Sequence, residues 1–121
     1  MTTRVAINGF GRIGRAVFRI ISHRSDIEVV AVNDLFENET LAYLLKYDTV
    51  HSTFSGEIRT DDRFMYVDDK AIEMLEKRDP GALPWKSLDI DVVVESTGVF
   101  RSRDALMNHI QAGAKRGVLT V

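Results

Sequence analysis

The chain has 121 residues, of which 45% are hydrophobic and 28% charged, with a net charge of −2 and no cysteine. This composition is typical of one globular domain with its own core. The slightly negative charge argues against nucleic acid as a partner, and no apolar run is long enough to cross a membrane, so we expect a cytoplasmic protein. Disulfides, thiolate metal sites and a cysteine nucleophile are excluded from these residues, and the histidines show no metal-ligand spacing.

The first stretch combines a buried strand, a glycine-rich turn and a helix. Residues 4–8 are an apolar run, and Gly9, Gly11 and Gly14 follow with the spacing G-x-G-x-x-G. We expect Gly9 to permit a tight turn, Gly11 to let a pyrophosphate approach the backbone, and Gly14 to let the helix pack closely on the strand. The helix is predicted over residues 12–23, and the free N–H groups of its first turn favour an anion.

The predicted helix has an apolar face and a basic face. The apolar residues at helical spacing are Ile13, Ala16, Val17, Ile20 and Ile21. Arg12 lies in the first turn, where an exposed cation opposes the helix dipole at a cost of about 0.3–1 kcal/mol, and a bound anion would turn this cost into an attraction. The alternative is a glycine-rich turn without a ligand, in which Arg12, Arg15 and Arg19 form a solvated face.

A second apolar strand, predicted over residues 28–33, ends in Asp34. In dinucleotide-binding proteins an acidic residue about 20 residues after the glycines accepts hydrogen bonds from the adenosine ribose. Asp34 occupies this place, and its negative charge would repel a 2′-phosphate. The pattern therefore predicts NAD, rather than NADP, as the cofactor.

The whole pattern predicts an α/β, Rossmann-type fold, with a mostly parallel sheet, flanking helices and a small antiparallel excursion. The remaining predicted elements are a helix at 39–46, a loop at 48–51, three short strands at 57–60, 63–67 and 70–75, a one-turn connector at 83–85, a strand at 91–95, a helix at 103–112 and a strand at 117–121. Because the last residues look like a buried strand, we expect the domain to be truncated here.

Five motifs follow one another along nearly the whole chain. They are Ala6–Arg15, Asn33–Leu35, Leu44–His51, Arg78–Pro80 and Glu95–Phe100. Their order and spacing resemble the N-terminal, NAD-binding part of the glyceraldehyde-3-phosphate dehydrogenase family. Erythrose-4-phosphate dehydrogenase shares two of these motifs and stays an alternative, although Asn33–Leu35 and Glu95–Thr97 are more similar to the glyceraldehyde-3-phosphate enzyme.

The resemblance implies roles at the phosphate and adenosine end of the cofactor. The backbone amides of Arg12 and Ile13 would bind the pyrophosphate, and Asp34 would bind the ribose. Arg78 would lie at the adenine end of the pocket and Phe100 against the adenine ring. From the residues alone, a surface arginine that opens a turn is the favoured interpretation of Arg78, and Phe100 is equally consistent with a core residue.

Three hydroxyl side chains are implied at the site as well. Ser96 and Thr97 end a strand at the carboxyl edge, where ligands sit in open α/β sheets. Thr120 stands near the nicotinamide end, where the family usually has serine, and it keeps the hydroxyl of that serine.

The family converts glyceraldehyde 3-phosphate, phosphate and NAD to 1,3-bisphosphoglycerate and NADH, through a cysteine nucleophile and a histidine that raises its thiolate fraction. Both residues lie beyond position 121 in the family, so these residues alone are expected to be inactive. We interpret His23, His51 and His109 as structural, with His109 on the core side of its helix. A stand-alone nucleotide-binding module is a further alternative. The family forms tetramers, and we expect the exposed last strand to pair with another copy.

Overall fold

The computed structural model describes residues 2–47, 57–68, 70–98 and 103–120. In chain order its elements are β1 (Thr3–Asn8), α1 (Arg12–Ser22), β2 (Ile27–Asn33), α2 (Asn38–Tyr47), β3 (Ile58–Thr60), β4 (Phe64–Val67), β5 (Lys70–Leu75), a short 3-10 helix (Pro80–Ala82), β6 (Val92–Glu95), α3 (Arg103–Gln111) and β7 (Arg116–Leu119). The loop predicted at 48–51, with His51, and the predicted adenine contact Phe100 lie outside the described residues.

The strands of the described chain form one sheet with the order β3-β4-β5-β2-β1-β6-β7. β1 pairs in parallel with both β2 and β6, β2 pairs in parallel with β5, and β6 with β7. β3, β4 and β5 pair antiparallel. This confirms the predicted α/β fold, including its antiparallel excursion. The chain leaves β1 for β2 on one side and returns to β6 on the other, so the strand order reverses next to β1, where open sheets of this type bind ligands.

The sheet is covered on both faces, as expected for parallel strands with near-continuous apolar sequences. On one face, Val5 and Ile7 pack in a cluster with Phe18 of α1 and Leu45 of α2. The alternate residues of the strands point to the other face, and there they are small. The members of this second cluster are Ala6, Ala31, Leu83, Trp85, Ile90, Val93 and Ala114. The small side chains of β1 and β2 leave room for the indole of Trp85, which is fully buried.

Helix α1 is rotated relative to the prediction from apolar spacing. Its buried residues are Gly14, Arg15, Phe18 and Ile21, whereas Ile13 and Ile20 are 46% and 65% exposed. Gly14 contacts the turn after β1, and positions four and seven residues later share its helix face, so Phe18 and Ile21 are buried. The expectation that Ile13 and Ile20 face the core was wrong, because the close contact at Gly14 fixes which side of α1 faces the sheet.

The basic side chains of α1 are not all solvated. Arg15 is buried, and its Nη1 donates a hydrogen bond to the carbonyl of Phe10 at 2.8 Å. Arg19 donates from Nη2 to the carbonyl of Leu45 at the end of α2. Of the three arginines, only Arg12 is exposed. The solvated basic face of the alternative interpretation is therefore not what the structure shows.

The connector after the antiparallel strands forms earlier than predicted. The 3-10 turn covers Pro80–Ala82, ahead of the expected residues 83–85. Asp79 stabilises it, because its Oδ1 accepts a hydrogen bond from the N–H of Gly81 at 2.9 Å and its carbonyl accepts one from the N–H of Ala82. Proline is well suited to the first position of such a turn, where its missing N–H is not needed.

No helix in the described part of the chain is long and apolar enough to span a membrane.

Candidate dinucleotide-binding site

Two of the three glycines in the turn after β1 have no room for a side chain, whereas the third borders open space. Gly9 has φ +95°, and a Cβ added there would lie 2.7 Å from the backbone nitrogen of Thr97. A Cβ at Gly14 would lie 2.3 Å from the carbonyl oxygen of Gly9. Both distances are prohibitive, so Gly9 and Gly14 have the turn and packing roles that the sequence predicts.

Gly11 is different, because a Cβ added there meets no described atom within 4 Å. It is exposed and is the N-cap of α1, with extended dihedral angles. No described side chain caps this helix end, and its first turn contains no acidic residue. The first-turn N–H groups of Arg12 and Ile13 therefore adjoin an open surface, with the positive end of the helix dipole behind them. This is the physical requirement for an anion site.

Asp34 joins the end of β2 to the same turn. Its Oδ2 accepts a hydrogen bond from the N–H of Phe10 at 2.7 Å, and its Oδ1 accepts one from the N–H of Phe36 at 3.1 Å. The side chain is only half-buried. A carboxylate has about four acceptor sites, so Asp34 retains the capacity to accept hydrogen bonds from ribose hydroxyls.

A cleft of about 500 Å³ lies beside Leu35, the residue that follows Asp34. Its lining consists of Leu35, Glu76, Lys77, Arg78, Asp79 and Ala82. This volume is in the range of small-ligand pockets. Arg78 is exposed at the cleft, so the structure places this predicted residue beside the turn that carries Asp34. Apart from Arg78, sequence analysis assigned no cofactor contact to these residues, which become neighbours only when β5 pairs with β2.

Asn33 holds the wall of this cleft in place. Its Oδ1 accepts from the N–H of Lys77 at 2.9 Å, and its Nδ2 donates to the carbonyl of Lys77 at 2.9 Å. The same Nδ2 also donates to Oδ1 of Asn8 at 2.7 Å. The amide of Asn33 therefore pairs with both backbone groups of the residue that precedes Arg78. The only sequence signal for this role is a polar residue at the buried end of an apolar strand.

Ser96 and Thr97 lie at the carboxyl end of β6, directly beside the glycine turn. The Oγ of Ser96 donates to the carbonyl of Gly9 at 2.7 Å. The Oγ1 of Thr97 donates to Oε2 of Glu95 at 2.6 Å, and the N–H of Thr97 reaches the same oxygen at 3.1 Å. Both hydroxyls are thus hydrogen-bonded within the protein, and the hydroxyl of Ser96 ties the end of β6 to the glycine turn.

Glu95 is a fully buried carboxylate behind the site. Besides the two donors of Thr97, its Oε1 accepts from Nδ2 of Asn8 at 2.7 Å and lies 2.7 Å from Nε2 of His109. Burial raises the pKa of Glu95, but the hydrogen bonds from His109, Thr97 and Asn8 outweigh it, and the pKa lies below its usual range. The carboxylate is therefore ionised at neutral pH.

Thr120 follows β7 and is also tied to Glu95. Its N–H and its Oγ1 lie 3.1 and 3.2 Å from the carbonyl oxygen of Glu95. The structure thus brings Thr120 to the same carboxyl edge as Gly9, Asp34 and Thr97. Its hydroxyl is close enough to the backbone of β6 to donate a hydrogen bond to it.

The chain is similar to known proteins along most of its length. Residues 3–103 match the family model described as glyceraldehyde 3-phosphate dehydrogenase, NAD binding domain. The glyceraldehyde-3-phosphate dehydrogenase of Thermotoga maritima is 56% identical over 119 residues, which are 97% of this chain and 36% of that protein. The cytosolic enzyme of Trypanosoma brucei brucei and the enzyme of Salmonella typhimurium are each 50% identical over 120 residues, which are 99% of this chain and 36% of each relative.

The chain therefore spans about a third of the length of the curated relatives it matches. Its matched part is the one that, in this family, binds NAD, and the open Gly11, the uncapped α1 and the half-buried Asp34 fit a dinucleotide. The chain belongs to the glyceraldehyde-3-phosphate dehydrogenase family, within its NAD-binding domain.

Proposed function

We propose that this chain binds NAD at the carboxyl edge of its sheet, as the cofactor-binding part of a phosphorylating glyceraldehyde-3-phosphate dehydrogenase. One observation supports this most strongly. The uncapped N-terminus of α1 begins at the open Gly11, and the Asp34 carboxylate is hydrogen-bonded to Phe10 in the same turn. An anion-binding helix end and an acceptor for sugar hydroxyls thus lie side by side, as a dinucleotide requires.

Each part of the cofactor has a matching part of the site. The amides of Arg12 and Ile13 would hold the pyrophosphate, with Gly9, Gly11 and Gly14 shaping the turn. Asp34 would hold the adenosine ribose, and the cleft beside Arg78 would take the adenine ring. Ser96 and Thr97 lie beside the glycine turn, and Thr120 lies at the end of β7. We assign these three residues to the edge that continues toward the nicotinamide, and Phe100 to the adenine pocket on the family resemblance alone.

The proposed reaction is the oxidation of glyceraldehyde 3-phosphate with phosphate uptake. NAD, when bound, supplies the hydride acceptor of this reaction. The 121 residues contain no cysteine, so they hold and orient the cofactor but cannot form the thioester on which the family's chemistry depends. Erythrose 4-phosphate as the substrate, or a stand-alone binding role, would use the same cofactor site.

Gly11→Ala tests this site with the least disturbance of the fold. The added methyl meets no described atom and Gly11 has a negative φ of −78°, so stability is expected to stay unchanged. The methyl would stand where the pyrophosphate approaches, and we expect the dissociation constant for NAD to rise about tenfold, as for a moderate steric clash. Calorimetric titration measures this constant.

Ser25→Ala is the matched control, because Ser25 is exposed at the opposite end of the sheet, between α1 and β2. This variant should bind NAD like the parent chain. Equal NAD binding by the parent and Gly11→Ala would contradict the proposed pyrophosphate position. Absence of NAD binding by a folded parent would contradict the proposal as a whole.

We also propose that the chain self-associates and that the protein acts in the cytoplasm. β7 is at the edge of the described sheet, and Val118 on it is 48% exposed. Unpaired edge strands of this kind pair with other chains. Sedimentation should show species larger than a monomer, and a monodisperse monomer would contradict self-association. The relative from Trypanosoma brucei brucei, named as cytosolic, supports the proposed compartment.

A further inference from the structure

A buried histidine lies directly behind the proposed cofactor site. His109 of α3 is 0% exposed. The indole Nε1 of Trp85 lies 3.0 Å from its Nδ1, and its Nε2 lies 2.7 Å from Oε1 of Glu95. An indole N–H can only donate, so Nδ1 must accept and carries no proton. The single ring proton is then on Nε2 and is donated to Glu95.

The contact between His109 and Glu95 is therefore a hydrogen bond from a neutral imidazole to a carboxylate. Protonation of Nδ1 would place two donors face to face at the Trp85 contact, where both side chains are fully buried. Trp85 thus selects one tautomer of His109, and this tautomer presents its N–H to the Glu95 carboxylate. A hydrogen bond to one ring nitrogen commonly fixes the tautomer and orientation in which the other nitrogen of a functional histidine acts.

The orientation of Glu95 reaches the cofactor site through Thr97. The oxygen of Glu95 that does not contact His109 accepts two hydrogen bonds from Thr97, one from the N–H and one from Oγ1. The backbone of Thr97 in turn packs so closely on Gly9 that a single methyl group does not fit between them. A shift of Glu95 must therefore move Thr97, and a shift of Thr97 must move the turn beside α1.

We propose that His109 is a positioning residue for the dinucleotide site. It does not touch the cofactor, and it acts by holding Glu95, which holds Thr97 against the glycine turn. The other oxygen of Glu95 extends this effect. Oε1, which contacts His109, also accepts a hydrogen bond from Nδ2 of Asn8, and Oδ1 of Asn8 accepts one from Nδ2 of Asn33. One buried chain of hydrogen bonds thus connects α3 with the turn and with the wall of the cleft. This role rests on the proposed NAD site.

The test compares His109→Leu with His109→Gln in the 121-residue chain. Leucine removes the donor to Glu95 at similar size, whereas glutamine retains a neutral N–H donor and an acceptor. We expect His109→Leu to raise the dissociation constant for NAD about tenfold. This is the lower end of the loss in affinity that follows when the hydrogen-bond partner of a metal ligand is removed from a metal site. We expect His109→Gln to bind close to the parent, and the amide signals of Gly9 and Thr97 to shift only in the leucine variant.

Two controls separate positioning from general loss of stability. His23→Leu makes the same change at an exposed histidine after α1. Met65→Ala opens a cavity at a fully buried residue of β4, in the antiparallel part of the sheet. Both should bind NAD like the parent at a temperature where each variant is folded. Weaker NAD binding by Met65→Ala equal to that of His109→Leu would overturn the proposal, as would parental binding by His109→Leu.

One further readout does not depend on NAD binding, and another does not depend on the folding of the leucine variant. If the parent binds no NAD, the proposed function fails, and unmoved Gly9 and Thr97 amides in His109→Leu would independently overturn the positioning role. If His109→Leu does not fold, nitrogen-15 spectra of the parent histidine decide. They should show a proton on Nε2 alone, and a proton on Nδ1 would overturn the proposal.

Discussion

The carboxyl edge of the parallel sheet and the antiparallel excursion β3–β5 are each organised around one carboxylate, in opposite surroundings. Glu95 is fully buried, and its partner Asn8 lies 87 residues away in sequence. Asp61 is exposed, and it accepts from the N–H groups of Arg63 and Phe64 and from the hydroxyl of Tyr66, at most five residues away. Hydrogen bonds hold the pKa of each carboxyl below its usual range. For Glu95 they outweigh burial, which raises the pKa, whereas Asp61 is exposed and burial has little effect on its pKa.

This difference shows why similar hydrogen bonds have different consequences. Around Asp61, water can replace any lost partner, so the carboxylate shapes one turn and little else. Around Glu95, a lost partner leaves buried donors without an acceptor, which is costly. The buried set also connects elements that are distant in sequence, and these elements carry the proposed NAD site. Loss of one hydrogen bond in the excursion therefore affects only its own turn, whereas loss of one at the carboxyl edge affects the connected residues together.

Removal of the central carboxylate should separate the two regions most clearly. Glu95→Ala leaves the buried donors of Asn8 and His109 and the half-buried donors of Thr97 without their acceptor. We expect the free energy of unfolding to fall by about 1–3 kcal/mol for each buried donor. Asp61→Ala should cost much less, because its donors are exposed to water. Urea unfolding of both variants measures the difference. Equal losses would show that burial does not distinguish the two carboxylates.

The glycines sharpen the comparison within the edge itself. Gly14→Ala forces a methyl against the carbonyl of Gly9, and we expect it to lower the free energy of unfolding by about 1–3 kcal/mol through overpacking. Gly11→Ala should leave the free energy of unfolding unchanged, since the added methyl group extends into open space. Thermal unfolding of this pair measures both effects. A destabilised Gly11→Ala would contradict the open space that the proposed pyrophosphate needs.

The smallest effect we expect is a pH dependence that belongs to Glu95. Its pKa is lower in the folded chain than its ordinary value of 4.5. The stability that this carboxylate contributes is therefore fully present above pH about 4.5 and is lost as the pH falls through the folded-state pKa. Glu95→Gln lacks this titration, so the difference in unfolding free energy between parent and variant should narrow in acid. A difference that stays constant or widens would contradict the lowered pKa.

The parts of the molecule that the sequence predicts well are those encoded over short distances. The glycine spacing, the apolar strands and Asp34 lie within one βαβ unit, so local spacing is enough to predict their roles. His109 was correctly expected to face the core, because its neighbours at helical spacing are apolar. Its partners Trp85 and Glu95 did not follow from any local pattern, since the pairing of strands brings them together.

Helix α1 shows a second limit of local patterns. The apolar spacing placed Ile13 and Ile20 inside, but the contact at Gly14 requires a different rotation of the helix. A residue without a side chain gives no hydrophobic signal, even where it decides the packing. Arg15 is buried by the same rotation and Arg19 donates to the backbone of α2, whereas the alternative interpretation of this helix left both solvated.

The most direct test of the proposed site is a titration of the parent chain and Asp34→Ala with NAD and NADP. The parent should bind NAD saturably and more tightly than NADP, whose 2′-phosphate meets the charge of Asp34. Asp34→Ala should bind NAD about tenfold to a hundredfold more weakly, the expected cost of hydrogen bonds to a charged group, and should lose the preference for NAD. Asp26→Ala, an exposed carboxylate at the opposite end of the sheet, should behave like the parent. Equal binding of NAD and NADP by the parent, or unchanged NAD binding by a folded Asp34→Ala, would contradict the central role of this carboxylate.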